Sequence, residues 1–586
     1  MISLTDEQRD AVHFEDNLQL TACPGSGKTR VILAKLLLLA DAVVGTPQSI
    51  GCITYTNAAV DEIEQRLRLY GTNASAEKCE VATIHSFCLQ FIVRPYQWLL
   101  PEIPAKFQIL TSDMNDFEQI VTSIEDEIGR RPLFQTFLDY ESLRIDIYGN
   151  PAGSGIEKGS VTERTARRYW ELVRGRGCLD FSMIIYYAWK ILREHPFVGR
   201  GIAAKFKWLL VDEFQDTTDL QLAIFRELHQ HLNTNFFFVG DENQSILSFA
   251  GAQPDLAHDF ARDIGADTNH SLSINFRSSD NIVGIAEALI PTNPGMQAGG
   301  ENRAFPLEPQ YVHTAAPVDA ITDFFLPMLE ANNIPLGKAA VLAPWWTHLI
   351  PIARRLREYD VPVFGPGARP YKRKRTFAGL AEQLGACAEI ENLLGLPAVE
   401  KSVFRLISDI TSETRFDIFT YAGRRSALKL VYRAKELADG PMGGADWLTQ
   451  MATSAGNTLV DDGWLPESAR TLLAASAQDM LNDMQSGGVD LTNLQVSDLG
   501  LFANPNEALK LITMHNSKGR EFDAVAMICM NKGHIPHFTC RTQPEFDEAK
   551  RLFYVGITRA KKVLLIGSDA TDRRNPPTAF IGEAGL

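Results

Sequence analysis

Between Ala22 and Thr29 the chain reads Ala22-Cys23-Pro24-Gly25-Ser26-Gly27-Lys28-Thr29, and Arg30 follows. These residue types in this spacing can hold a phosphate chain. Backbone N–H groups must come close to the phosphates, so glycines stand where the main chain turns around them. The helix that starts there adds its dipole. Lys28 neutralises β/γ-phosphate charge, and the Thr29 hydroxyl is a Mg²⁺ ligand. The general pattern has Gly where Ala22 stands. About 180 residues further on, Trp208-Leu209-Leu210-Val211-Asp212-Glu213 is an apolar run ending in two carboxylates. Asp212 can hold Mg²⁺ through water, and Glu213 can polarise an attacking water.

Such groups need a rigid sheet behind them. Leu18–Ala22 is expected as a buried strand, Thr29–Leu39 as a helix, Ser49–Tyr55 as a strand and Ala58–Tyr70 as an amphipathic helix. That alternation predicts a parallel α/β sheet, which places ligands at the carboxyl ends of its strands. Residues 91–199 carry a helical pattern, followed by strands at Lys207–Val211 and Asn235–Val239. The pattern then repeats. Ala339–Ala343 and Val361–Phe364 are expected as strands with a helix at Leu349–Tyr359 between them. Residues 366–499 are helix-rich, and Ala508–Met514, Asp523–Met530 and Val563–Ser568 complete a second sheet. The Phe364-Gly365-Pro366-Gly367 cluster marks a boundary.

The net charge of −15 argues against a broad polyanion-binding surface, while leaving room for a local basic channel. The eight cysteines are scattered without a CxxC pair, so reduced thiols are expected rather than a zinc or iron–sulfur site. The N-terminal residues lack the pattern of a signal peptide, and apolar runs stay short of a membrane span. The expected location is cytosolic.

Asp212-Glu213-Phe214-Gln215-Asp216-Thr217 resembles the DEFQD box of the UvrD/Rep/PcrA group of superfamily 1 helicases, and seven further boxes follow in that family's order. Gln8, in Leu4–Val12, matches the adenine-reading glutamine motif. Thr54-Tyr55-Thr56-Asn57 with Ala59 and Glu62 matches TFTNxAA, and Thr83–Phe87 matches TFHSL. Val239–Ile246 matches VGDxxQSI, and Asn275-Phe276-Arg277-Ser278 matches NYRS. Thr513–Asp523 matches TVHxxKGLEF, and Arg551–Ala560 matches RRLxYVAxTRA. The resemblance spans Leu4 to Lys562 and covers the helical insertions poorly.

The resemblance implies an α/β fold with two RecA-like parallel-sheet motor domains, each with a mostly helical insertion. Domain 1A would comprise 1–90 and 200–274, and insertion 1B 91–199. Domain 2A would comprise 275–365 and 500–586, and insertion 2B 366–499. ATP with Mg²⁺ would lie between the motor domains. The P-loop Ala22, Cys23, Pro24, Gly25, Ser26, Gly27, Lys28, Thr29 and Arg30 would hold the phosphates, with Thr29 and Asp212 on the metal. Gln8 would read the adenine edge, Phe276 would stack on the base, and Glu521 would touch the ribose. Gln215 and Gln244 would sense the γ-phosphate and the water, and Arg277 and Arg559 would act as arginine fingers. Single-stranded DNA would meet Tyr55, Thr56, Asn57, Thr83, His85, Phe249 and His515, with Phe87 a further stacking candidate. For His85, His515 and each aromatic, an ordinary core position is the alternative.

Departures are also visible. Leu247-Ser248-Phe249-Ala250-Gly251-Ala252 lacks the arginine that the family carries at Ala250. Ala58 stands where lysine is frequent, Arg520 replaces a leucine, and Ala343-Pro344 stands where the strand usually ends in arginine. The basic run Arg369, Lys372, Arg373, Lys374 and Arg375, with Tyr371, is expected either to grip nucleic acid or to form a solvated linker. The second insertion is short for the repair members, and no long tail is expected after the last box. The leading expectation is a DNA translocase or helicase, with the 3′→5′ polarity that the resemblance implies. The alternative is a nucleotide-controlled regulatory subunit for a partner nuclease, resembling in outline the UvrD-like subunit of Gabija-type anti-phage systems.

Overall fold

A computed structural model describes residues 2–232, 234–389, 395–411, 420–570 and 575–586. The chain divides into two compact units, Met1–Phe305 with Gln543–Tyr554, and Pro306–Thr542 with Val555–Leu586.

The first unit holds a six-stranded sheet: β1 (Leu18–Ala22), β2 (Ser49–Thr54), β3 (Cys79–Thr83), β4 (Phe206–Val211), β5 (Asn235–Gly240) and β6 (Ser271–Leu272). The order is β6-β1-β5-β4-β2-β3, with every pairing parallel. β2 is buried along its whole length, as are the four central residues of β5, because helices cover both faces of a parallel sheet. The central strands β1, β5 and β4 are neighbours, so the loops after them open at one edge. Helices α1 (Asp6–His13), α2 (Lys28–Val43) and α3 (Asn57–Tyr70) flank the sheet. Residues between β3 and β4 are mainly helical and share one apolar core with the sheet, running from Ile53 through Trp170 and Trp189 to Phe260.

Lys35 of α2 is 2% exposed. Its ammonium donates to the carbonyls of Val12 and Phe14 at the end of α1, and lies 4.8 Å from the Trp208 ring centre. Burial pulls its pKa down from 10.5 to about 8. Between those values the unfolded chain holds the proton that the folded chain has lost, so stability rises with pH. Lys35→Met should abolish that rise between pH 8 and 10.5, and should cost about 2 kcal/mol at pH 7 by stranding two carbonyls. Denaturant melts across that range check both.

The segment around Asn275, expected to open the second motor domain, packs in the first unit instead, and the division falls at Phe305. The reason is local: Phe276 N–H donates to the Gly25 carbonyl at 2.9 Å, and Ile274–Asn275 pairs with Gln297–Ala298.

The second unit has its own parallel sheet: β7 (Gln310–Thr314), β8 (Ala339–Ala343), β9 (Val363–Phe364), β10 (Leu509–Thr513), β11 (Phe522–Met527) and β12 (Ala560–Asp569), in the order β7-β12-β11-β8-β10-β9. Its insertion packs helices around Trp447, Leu430 and Met480. Residues 390–394 and 412–419 of the expected insertion lie outside the described residues. The basic run is in part an internal lock. Arg369 and Tyr371 both bind the Glu382 carboxylate, and Arg375 binds Asp479 and Asp483. Arg369 and Arg375 are thus tied to carboxylates of the insertion, while Lys372, Arg373 and Lys374 are exposed.

Candidate active site

The turn after β1 is built for a close anionic ligand. Gly25 has φ +68° and Gly27 φ +85°, the left-handed region that glycine enters without strain. Ser26 donates from both its N–H and its hydroxyl to the Cys23 carbonyl. α2 then starts at Lys28, so its unpaired N–H groups and dipole face the turn. A Cβ on Gly25 would lie 2.6 Å from Arg277 Cβ and 2.9 Å from Asn275 Oδ1. Asn275 Oδ1 in turn accepts from the N–H groups of Arg277 and Ser278. Arg277 is thus fixed beside the P-loop by its backbone, a contact that sequence separation hides.

Gln8 is 1% exposed. Its Oε1 accepts from Thr5 N–H, closing a capping box on α1, and its Nε2 donates to the Ser26 carbonyl at 2.8 Å. The glutamine expected at the adenine edge therefore also ties α1 to the phosphate turn.

Asp212 and Glu213 follow β4, one strand away from β5 and two from β1. Glu213 adopts φ 52°, ψ 45°, a left-handed conformation that costs a non-glycine residue energy and occurs preferentially at functional sites. The surrounding structure enforces it. Phe214 stacks on Phe238 of β5 at 3.9 Å, and Gln215 Nε2 donates to Glu213 Oε2 at 2.6 Å. Gln215 Oε1 accepts from the Asp241 N–H at 3.0 Å, and Gln244 Nε2 donates to Asp241 Oδ2. One hydrogen-bonded chain therefore joins Glu213, Gln215, Asp241 and Gln244 across the ends of β4 and β5. Lack of water around its carboxyl, with the Glu213 charge beside it, holds Asp212 well above the usual carboxylate range; Lys28 opposes this. Burial raises Asp241 as well, again opposed by Lys28. Sequence reasoning gives Asp241 no role beyond a letter of its box. Its place after an apolar strand, like that of Asp212, is the signal that could have found it.

Gly240 makes this chain possible, because a Cβ there would lie 2.5 Å from Gln215 Oε1. Gly240→Ala should displace Gln215 and lower any hydrolysis by about tenfold or more while nucleotide binding persists. Binding and single-turnover measurements separate the two effects.

These residues fit a nucleotide with Mg²⁺. The glycine turn leaves room only for backbone, and the desolvated Asp212 carboxyl and Thr29 hydroxyl are hard oxygen ligands. Among the described residues no three His, Cys, Asp or Glu side chains converge to hold a metal. Mg²⁺ is commonly bound by one or two protein oxygens together with substrate phosphates and water.

The expected strand contacts separate clearly. Tyr55 and Phe249 are exposed, at 47% and 52%. Thr56 and Asn57 are exposed, and the Thr56 hydroxyl caps α3 through Ala59 N–H. The Thr83 hydroxyl caps the following helix through Ser86 N–H. His85 packs edge-on against Phe181 and is pulled down to about 4 by burial, so it presents a neutral imidazole at pH 7. Phe87 is 0% exposed, packed against Phe91 and Phe206, and is a core residue rather than a base platform. In the second unit His515 is half-buried, and Glu521 pairs with Lys561 at 2.7 Å. The Arg559 guanidinium donates to the carbonyls of Val555 and Arg520.

Comparisons with known proteins identify relatives along the chain. Residues 4–265 match the UvrD/REP helicase N-terminal domain, and residues 479–570 match the UvrD-like helicase C-terminal domain. The chain is 26% identical to DNA helicase II of Escherichia coli K12, over 99% of this chain and 87% of that protein. It is 25% identical to UvrD1 of Mycobacterium leprae, over 99% and 85% of the two chains. Against Rep of E. coli K12 the figures are 24% identity over 96% and 90%. With the N- and C-terminal family domains both matched and relatives aligned over nearly its whole length, the chain belongs to the UvrD/Rep helicase family.

Proposed function

We propose that this chain hydrolyses ATP with Mg²⁺ and uses the cycle to move along single-stranded DNA in the 3′→5′ sense, separating strands ahead of it. The observation that carries the hydrolytic half is the Glu213–Gln215–Asp241–Gln244 chain at the sheet edge where the P-loop turns. Relatives named as DNA helicases over nearly the whole chain support the DNA half. The sense of travel rests on the family resemblance.

Lys28 and the N–H groups of the turn hold the β- and γ-phosphates. Thr29 and Asp212 would hold Mg²⁺, which when bound would neutralise phosphate charge and polarise the γ-phosphorus. Glu213 takes a proton from the water that attacks the γ-phosphorus as the bond to the β-bridging oxygen breaks. Gln215 holds the Glu213 carboxylate in place, and Gln244, on Asp241, stands ready to report the state of the γ-phosphate. Tyr55 and Phe249, both exposed, offer aromatic faces to unstacked bases.

Forked duplexes carrying only a 3′ or only a 5′ tail test this reading. Unwinding of the 3′-tailed fork alone is expected. Unwinding of the 5′-tailed fork alone would reverse the sense. DNA-stimulated hydrolysis without unwinding of either would favour the regulatory-subunit alternative, in which a partner nuclease acts.

A further inference from the structure

Arg144 lies in the helical insertion of the first unit, on a short strand Arg144–Ile145 paired with Pro151–Ala152. Its side chain is 26% exposed, yet among the described residues its guanidinium donates no hydrogen bond, and its Nε is buried without an acceptor. Two carboxylates are near. Glu157 is 4.0 Å away with a largely solvated side chain, and Asp219 acts at longer range. An exposed pair at that distance contributes little. An arginine that has lost water without gaining acceptors is a net cost to the fold.

The guanidinium lies against Gly251. A Cβ there would fall 1.5 Å from Arg144 Nη1 and 2.5 Å from its Cζ, so only glycine lets the cation reach this position. Gly251 ends the turn that carries exposed Phe249, and has φ +91°. The turn is fixed in place, since the Glu548 carboxylate binds Ser248 N–H and hydroxyl, and Arg551 donates to the Ser245 carbonyl at 2.7 Å. The stretch from Ile246 to Ala252 contains no basic residue of its own. A cation from a separate element thus stands beside an exposed aromatic on a braced turn.

We propose that Arg144 binds a phosphodiester group of the single strand whose bases meet Phe249, supplying from the insertion the cation that the turn lacks. This rests on the strand-binding reading above. A phosphate oxygen would satisfy the guanidinium, and the aromatic face beside it would take a base of the same strand.

The test uses the full chain and a fluorescently labelled oligothymidylate, with anisotropy titrations at several salt concentrations, on wild type, Arg144→Met and Arg144→Lys. For Arg144→Met the affinity should fall about tenfold. The slope of log affinity against log salt should become shallower by about 0.7, the value for one phosphate contact on a single strand. Its melting temperature should be equal to or above that of wild type, because no hydrogen bond is lost. Arg144→Lys should recover the slope. Wild-type affinity and slope in Arg144→Met would overturn the proposal, as would a lower melting temperature with an unchanged slope, which is the mark of a structural role. A wild type that does not bind the oligonucleotide would overturn the strand-binding reading and this proposal together.

Discussion

Glu213→Gln should lower ATP hydrolysis by about 10²–10⁴-fold while leaving nucleotide binding intact. The substitution keeps the shape of the side chain and leaves its amide oxygen able to accept from Gln215 Nε2, the bond that now holds Glu213 Oε2 at 2.6 Å. What is lost is the capacity to take a proton. Binding should persist or tighten, for two reasons. A negative charge is removed beside the phosphates, and the Glu213 charge that helps raise Asp212 is removed with it, which favours the carboxylate form that a metal needs. Single-turnover hydrolysis paired with titration of a fluorescent ATP analogue reads both quantities. Hydrolysis within tenfold of wild type would show that another group accepts the proton.

Gly25→Ala should abolish nucleotide binding. Two costs combine: an alanine at φ +68° is strained by about 1 kcal/mol, and its Cβ would sit 2.6 Å from Arg277 Cβ and 2.9 Å from Asn275 Oδ1. Neither neighbour is the far end of a flexible chain, so the turn itself must move. Gly265→Ala is the matched control. Gly265 has φ +69°, and a Cβ there would meet nothing within 4 Å, so it carries the strain without the collision. Both variants should melt slightly earlier than wild type, and only Gly25→Ala should lose the thermal shift that an ATP analogue gives. Equal shifts in the two variants would mean that close approach at Gly25 is unimportant.

Much of the site was legible in the sequence because its chemistry is local. Strand Ala339–Ala343 begins and ends with its apolar run, Leu18–Ala22 follows the alternation of Leu18, Leu20 and Ala22 with Gln19 and Thr21, and the glycine turn lies between a strand and a helix as its composition requires. What was not legible depends on pairs far apart in the chain. Nothing near Asn275 signals that its side chain orders Arg277 beside Gly25, and the whole segment to Phe305 lies in the first unit. Phe87 and Phe249 are both aromatics within family boxes, yet one is sealed beneath Phe91 and Phe206 while the other stands on an open turn. The basic run at 369–375 reads as surface charge until helices bring Glu382, Asp479 and Asp483 to it, the last from 108 residues beyond Arg375. The strain at Glu213 has no sequence signature, because it is imposed by the Phe214 stack and the Gln215 bond.

In the proposed cycle the carboxylate chain at the end of the first sheet hydrolyses ATP in response to a bound strand. The most direct measurement is the steady-state ATPase rate of wild type with Mg²⁺, with and without an oligothymidylate. Slow hydrolysis alone and a severalfold higher rate with the strand are expected. A rate indifferent to the strand, or no hydrolysis in either condition, would contradict it.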